Sequence, residues 1–266
     1  MIKSNIREYF TEKALNHVTK NNKNEIKLIE IGCMFREKEG KSTLILTNVI
    51  KNHISKGKLY SIELTKNHIS ACIKILNNYS KEHIKYVEFI NDYGINGLRK
   101  LINENTNKID FISLDGGAQP EVCLEEFEVA VKLIKSDGII IVDDIQGLSP
   151  SKSYPYSRPM GKGTFIYPFL LLEEYINNKN DIIALNWNKN EPKPNSKNIK
   201  LLPKINILAN KNLFFKVVGD RHKILIVGNK SVIEMIEKEK KEYFTRFRSV
   251  MDSLKILFKS LFKTVK

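Results

Sequence analysis

The sequence predicts an α/β protein built on a seven-stranded, mostly parallel sheet that ends in an antiparallel hairpin and is followed by an amphipathic helix. Three observations carry this expectation. Short runs of β-branched residues alternate with longer stretches of helical periodicity from residue 28 to residue 144. Those runs, LIEIG and GIIIVDD among them, are nearly continuous in apolar residues, which marks strands covered by helices on both faces. Four successive strands also end in an acidic residue, at Glu63, Asp92, Asp115 and Asp143.

The elements follow in order. Ile6, Tyr9, Phe10, Ala14, Leu15 and Val18 recur at helical spacing, so the chain opens with a helix to about Lys20. A strand at 28–32 leads to a helix over 42–54, a strand at 58–64 to a helix over 67–79, and a strand at 86–90 to a helix over 94–104. The strand at 110–115 and a helix over 121–134 precede the fifth strand at 138–144. Strands joined through helices at this pitch form parallel pairs with right-handed crossovers. The rhythm then stops, because QGLSPSKSYPYSRPMGKG holds three prolines and three glycines and reads as a loop. A helix over 164–177 and a polar, proline-containing stretch follow it. LFFKVV (213–218) and KILIVG (223–228), parted by GDRH, suit an antiparallel hairpin.

Composition narrows the function classes. The 266 residues include 44 Lys or Arg and 30 Asp or Glu, a net charge of +14, and 42% are hydrophobic. That apolar share supports one large α/β domain. The lysines are spread along the whole chain, so the charge alone is weak support for nucleic acid as partner. No uncharged apolar run is long enough to span a membrane, and the first residues lack the apolar core of a secretory signal. Cys33, Cys72 and Cys123 form no CxxC pair and no zinc spacing, which suits small buried residues in a reducing, cytoplasmic setting.

In an open parallel sheet, ligands bind at the carboxyl ends of the strands. This sequence places Gly32, Glu63, Asp92, Asp115 and the pair Asp143-Asp144 there. Carboxylates gathered at one sheet edge are costly without partners, so the edge is the candidate site.

Glu30-Ile31-Gly32 at the end of the first strand, with Gly40-Lys41-Ser42-Thr43 leading into the next helix, resembles the glycine motif of class I methyltransferases. The resemblance implies a Rossmann-like class I methyltransferase fold with S-adenosylmethionine as cofactor. Gly32 would let backbone approach the methionine part, and the helix N-terminus at Ser42 and Thr43 could receive its carboxylate. Glu63 would take the ribose hydroxyls, a device that dinucleotide-binding folds share, although this chain has no GxGxxG. Asp92 resembles the residue that meets the adenine amino group, and reads equally well as a cap for the helix after it.

The stretch DFISLDGGAQPEVCLEEFEVAVKLIKSDGIIIVDDI (110–145) resembles a bacterial family of metal-dependent sugar O-methyltransferases, the macrocin O-methyltransferase-like enzymes. By that resemblance Asp115, Asp143 and Asp144 hold one Mg²⁺ that orients two vicinal hydroxyls of the acceptor. Related enzymes often carry a His or Lys just after the fourth-strand Asp. Here that place reads Gly116-Gly117-Ala118-Gln119, so the proton falls to the metal, to Asp143 or to Lys162. The loop Ser151–Gly163 follows the last acidic pair, and its Tyr154, Tyr156, Arg158 and Lys162 suit a sugar or an anionic acceptor.

The expected function is therefore methyl transfer to a hydroxyl of a small molecule, a sugar or polyol. An RNA methyltransferase and a non-catalytic scaffold are the competing readings. No N-P-P-Y motif follows the fourth strand and no catalytic Cys follows the fifth, which speaks against RNA. The sequence divides into a methyltransferase domain over 1–230 and a basic amphipathic tail over 231–266. From Phe244 the tail carries an apolar stripe through Phe247, Val250, Met251, Leu254, Leu257, Phe258, Leu261, Phe262 and Val265, flanked by lysines. It reads as a helix for dimerisation or for docking on the core, as one lying on an anionic membrane surface at the inner face of the membrane, or as a nucleic-acid contact.

Overall fold

The computed structural model of the chain describes residues 6–21, 25–36, 41–53, 56–104, 109–116, 120–143, 211–218 and 224–245. Seven strands form one sheet in the order β3-β2-β1-β4-β5-β7-β6. β1 (Ile26–Ile31), β2 (Gly57–Ile62), β3 (Val87–Ile90), β4 (Ile109–Leu114) and β5 (Ile134–Val142) run parallel to their neighbours in this set. β7 (Ile224–Gly228) is antiparallel to β5 and to β6 (Phe214–Val218). The hairpin thus folds back so that its second strand joins the sheet and its first becomes the edge, where Phe214 stays exposed.

Five helices connect or precede the parallel strands: α1 (Ile6–Asn21), α2 (Ser42–His53), α3 (Lys66–Tyr79), α4 (Gly94–Asn103) and α5 (Pro120–Leu133). A further helix, α6, spans 230–245. Alternation along the strands sorts the side chains to two faces. Ile29, Ile31, Ile112, Leu114, Ile140 and Val142 meet Leu98 and Leu101 of α4 and Phe127 and Ala130 of α5. Leu28, Phe111, Ile139, Ile141, Ile224 and Ile226 face the other way, against Phe10, Ala14 and Leu15 of α1, Leu46 and Ile50 of α2, and Val232 and Ile236 of α6. Ile109 shares a face with Ile112 although their parity differs, because the β4–β5 register shifts between Ile109 and Phe111.

One element departs in its bounds from the sequence reading. β5 begins at Ile134 directly after α5, not at Gly138. The polar KSD reads as a turn, yet Lys135 is ion-paired with the buried Asp110 of β4, and Ile134 pairs with Ile109. Residues after 230 pack against the sheet's first helix. Val232 and Ile236 are fully buried with α1, and Tyr243 meets the rings of Tyr9 and Phe10 with centroids 4.9 and 6.0 Å apart. The helix expected over 164–177, the loop Ser151–Gly163 and the tail from 246 onward lie outside the described residues. Among the described residues, no helix is long and apolar enough to cross a membrane.

Candidate active site

The strand ladders continue one residue beyond the strands and set the site. Glu63 donates its N–H to the Ile90 carbonyl (3.0 Å), Gly32 to Ile62 (2.9 Å), Asp115 to Ile31 (3.1 Å) and Asp143 to Leu114 (3.0 Å). Four of the residues expected at the site are thereby held side by side at the carboxyl edge. Gly32 has φ +86°, and a Cβ there would lie 3.1 Å from the Asp115 carbonyl oxygen. Only glycine meets that conformation and that approach without strain.

Glu30 and Thr43 are buried inside the first turn, beneath its open side. Oε1 of Glu30 accepts the hydroxyls of Thr43 (2.7 Å) and Ser61 (2.8 Å), and Thr43 Oγ1 accepts the N–H of Met34 (2.9 Å). Glu30 thus ties β1 to β2 and to the start of α2. Burial pushes its carboxyl up to about 7, against the pull of Thr43, Ser61 and Arg7. Its Oε2 is buried with no hydrogen-bond partner among the described residues.

Glu63 leans toward its own helix start. Oε1 accepts the N–H of Thr65 at 2.8 Å and lies 3.2 Å from Nδ1 of His68, while Oε2 is 4.0 Å from the Cys33 thiol. The His68 ring is stacked on Phe35 from the β1–α2 turn, with centroids 3.9 Å apart and planes 7° from parallel. Asn91 donates to the carbonyls of Glu63 (2.9 Å) and Leu64 (2.7 Å) and fixes this turn from the end of β3. Asp92 Oδ1 accepts from the N–H of Tyr93 (2.7 Å) and from Asn96 Nδ2 (2.9 Å), so that oxygen is held at the entry to α4, whose N-cap position is Tyr93.

The structure brings Asp115 and Asp143 together, and an arginine joins them. Nη1 of Arg7, in the first turn of α1, lies 2.6 Å from Asp115 Oδ2 and 2.7 Å from Asp143 Oδ2, with Nη2 3.5 Å from Ser113 Oγ. The Arg7 and Asp143 side chains are 10% and 4% exposed, that of Asp115 29%, so Asp115 is the carboxylate that reaches the open edge. Burial alone would favour a neutral guanidine, but Asp143 and Asp115 outweigh it and Arg7 is held charged.

Asp144 and Lys162 lie outside the described residues. For the expected Mg²⁺, the place between Asp115 and Asp143 is taken by the Arg7 nitrogen, and among the described residues no group of three or more His, Cys, Asp or Glu side chains could hold a metal ion. As arranged, these two carboxylates do not fit the ion. Sequence reasoning also missed Glu126 of α5, which is buried where a Cβ on Gly94 or Gly116 would meet its carboxylate oxygens at 2.2 and 3.0 Å. Glu126 stands in the acidic turn EEFE, and only its neighbours distinguish it from Glu125 and Glu128.

Residues 29–145 match a family model described as a methyltransferase domain. Among solved structures, the chain is similar to an O-methyltransferase from Bacillus cereus in complex with SAH, with 17% identity, a TM-score of 0.50, and 85% of this chain and 83% of that one covered. It is also similar to the O-methyltransferase TomG of Streptomyces achromogenes, involved in tomaymycin synthesis and in complex with SAM, with 14% identity, a TM-score of 0.51, and 85% and 82% covered. This is the fold of a class I methyltransferase. No curated protein matches the sequence. In a class I methyltransferase fold the edge carrying Gly32 and Glu63 is the ligand edge of the sheet, and Asp115 and Asp143 stand on the neighbouring strands β4 and β5.

Proposed function

We propose that the protein transfers a methyl group from S-adenosylmethionine to a hydroxyl of a small molecule, a sugar or polyol. The observation that carries this reading is the row of ladder bonds that sets Gly32, Glu63, Asp115 and Asp143 along one sheet edge. The residues fit the cofactor. Gly32 leaves the close approach that a side chain would fill, the N-terminus of α2 at Ser42 offers backbone donors to a carboxylate, and Glu63 supplies the acceptor for a ribose diol. The cofactor supplies an electrophilic methyl group on a sulfonium, so the protein has chiefly to align and to deprotonate.

Asp115 is the residue we assign to the acceptor hydroxyl, because it is the more open of the two joined carboxylates and lies next to Gly32. Asp143, nearly enclosed and bound to Arg7, is the second carboxylate of the pair and the other candidate for the proton. Lys162 remains a candidate from the sequence. The sugar class rests on the likeness of 110–145 to sugar O-methyltransferases and on the Tyr, Arg and Lys residues of the loop 151–163. Three unbridged, buried thiols, Cys33, Cys72 and Cys123, suit a reducing cytoplasm. The stripe from Phe247 to Val265 supports association with a second chain or an anionic membrane.

The test is calorimetry with S-adenosylmethionine, followed by transfer of a labelled methyl group to a panel of sugars and polyols. Binding with transfer to a hydroxyl is expected. An absence of cofactor binding by the folded protein would overturn the reading.

A further inference from the structure

The geometry points to Arg7 as the resident cation of the acceptor site, taking the place between Asp115 and Asp143 that a divalent ion would need and making the reaction independent of metal. This deepens the proposed methyl transfer and rests on it. One nitrogen, Nη1, is within 2.7 Å of an oxygen from each carboxylate. A magnesium ion bound to both oxygens at about 2.1 Å would compete with that nitrogen for the same two acceptors. A dication and a guanidinium cannot share such a place in a site where two of the three side chains are nearly enclosed.

The placement of Arg7 is built into the fold. Strand alternation puts Ser113, Asp115 and Asp143 on the same face as Phe111, Ile139 and Ile141, the face that α1 covers. Phe10, Ala14, Leu15 and Val18 of α1 are all buried there, which fixes the first turn of the helix over the ends of β4 and β5. Nothing local to the helix favours the arginine, since a positive charge in the first turn opposes the helix dipole. The two carboxylates supply the compensation. Asp115, the more open of the two carboxylates, keeps acceptor oxygen for a hydroxyl. Arg7 is a positioning residue in this account. It holds the two carboxylates at a fixed separation without touching the reacting atoms.

Mn²⁺ serves as the probe, read by the loss of its free-ion paramagnetic resonance signal, with cofactor binding followed by calorimetry on the same samples. The wild-type protein is expected to leave Mn²⁺ free to millimolar concentration and to keep its methyl transfer after exhaustive chelation. Arg7→Gln removes the guanidinium from between the two carboxylates and should bind Mn²⁺ at least tenfold more tightly than wild type, an affinity lost again when Asp143→Asn is added. Arg7→Lys retains the charge and should bind no Mn²⁺, which a merely structural role for the arginine would not require. Tight binding of Mn²⁺ by wild type that Asp143→Asn abolishes would overturn the inference. So would an Arg7→Gln protein that folds, by circular dichroism, and gains no Mn²⁺ affinity. Should Arg7→Gln fail to fold, the wild-type and Asp143→Asn titrations decide alone. Loss of cofactor binding in every sample would sink the methyltransferase reading and leave the Mn²⁺ result standing.

Discussion

The Thr43 hydroxyl donates to Oε1 of Glu30 at 2.7 Å while its oxygen accepts the Met34 N–H, so one side chain closes the β1–α2 turn on a carboxyl that is itself wholly buried. The enclosure makes Glu30 a titrating group near neutrality. Its carboxyl rises from 4.5 to about 7, chiefly through burial. A raised acid favours the fold while it is protonated. Its contribution is complete below about pH 4.5 and is lost as the pH climbs to about 7. The linked change is about 3 kcal/mol. Glu30→Gln keeps a neutral acceptor for Thr43 and Ser61 and removes the proton. Urea denaturation from pH 4.5 to pH 8 should show the variant gaining about 3 kcal/mol on wild type. Parallel stability profiles would mean that Glu30 reaches water.

Glu63→Ala should weaken S-adenosylmethionine binding by about 1–3 kcal/mol, the range for hydrogen bonds to a charged acceptor. Because Glu63 also accepts from Thr65 and lies against His68, the same change should loosen the start of α3. His68→Ala separates the two effects, since it removes the neighbour and spares the carboxylate. Calorimetry showing equal affinity for Glu63→Ala and wild type would remove Glu63 from the site.

Gly32→Ala tests the close approach of β1 to β4. An alanine at φ +86° costs about 1–2 kcal/mol, and its methyl group would press on the Asp115 carbonyl at 3.1 Å. The expected outcome is a stability loss of that size in urea together with weakened cofactor binding. Full affinity in the variant would show that the ligand lies elsewhere on the edge.

The helix after the hairpin should behave as two parts. Ile236→Ala should cost about 2–5 kcal/mol, as core truncations do, because Ile236 is fully buried against α1. Ending the chain at Thr245 should leave both stability and cofactor affinity unchanged, since Tyr243 and its contacts with Tyr9 and Phe10 are retained. The shortened protein should instead differ in sedimenting mass or in binding to anionic vesicles. A salt-sensitive loss would identify the membrane, because screening weakens the flanking lysines, and a salt-insensitive one a second chain. An unchanged protein in both assays would leave the stripe from Phe247 without a role in association.

The sheet edge was readable in the sequence because it depends on local signals. A run of apolar residues ends, an acid or a glycine follows, and parallel pairing does the rest, which is how Gly32, Glu63, Asp115 and Asp143 came to stand in line. Arg7 gave no such signal. It is one of 44 basic residues, and its importance comes from α1 lying across strands more than a hundred residues away. Glu126 was hidden for a similar reason, as its burial follows from Gly94 and Gly116 withdrawing their side chains from one spot. The magnesium expectation came from the resemblance of 110–145 to metal-dependent enzymes, which carries no sign of the cation the fold lays over two of the acids.

The Tyr9 hydroxyl reaches Glu239 across 230 residues of chain, and Lys13 meets the same carboxylate at 2.8 Å. The helix α1 therefore finds part of its cover in a segment made more than two hundred residues later. Until β7 and α6 emerge, Phe10, Leu15 and Val18 have only part of their burial site, and Arg7 waits for Asp115 and Asp143 to be synthesised. Such long-range closure slows folding, because loop entropy is spent before the contacts return it. A nascent chain short of α6 therefore lacks part of the cover of α1, the helix that carries Arg7 to Asp115 and Asp143.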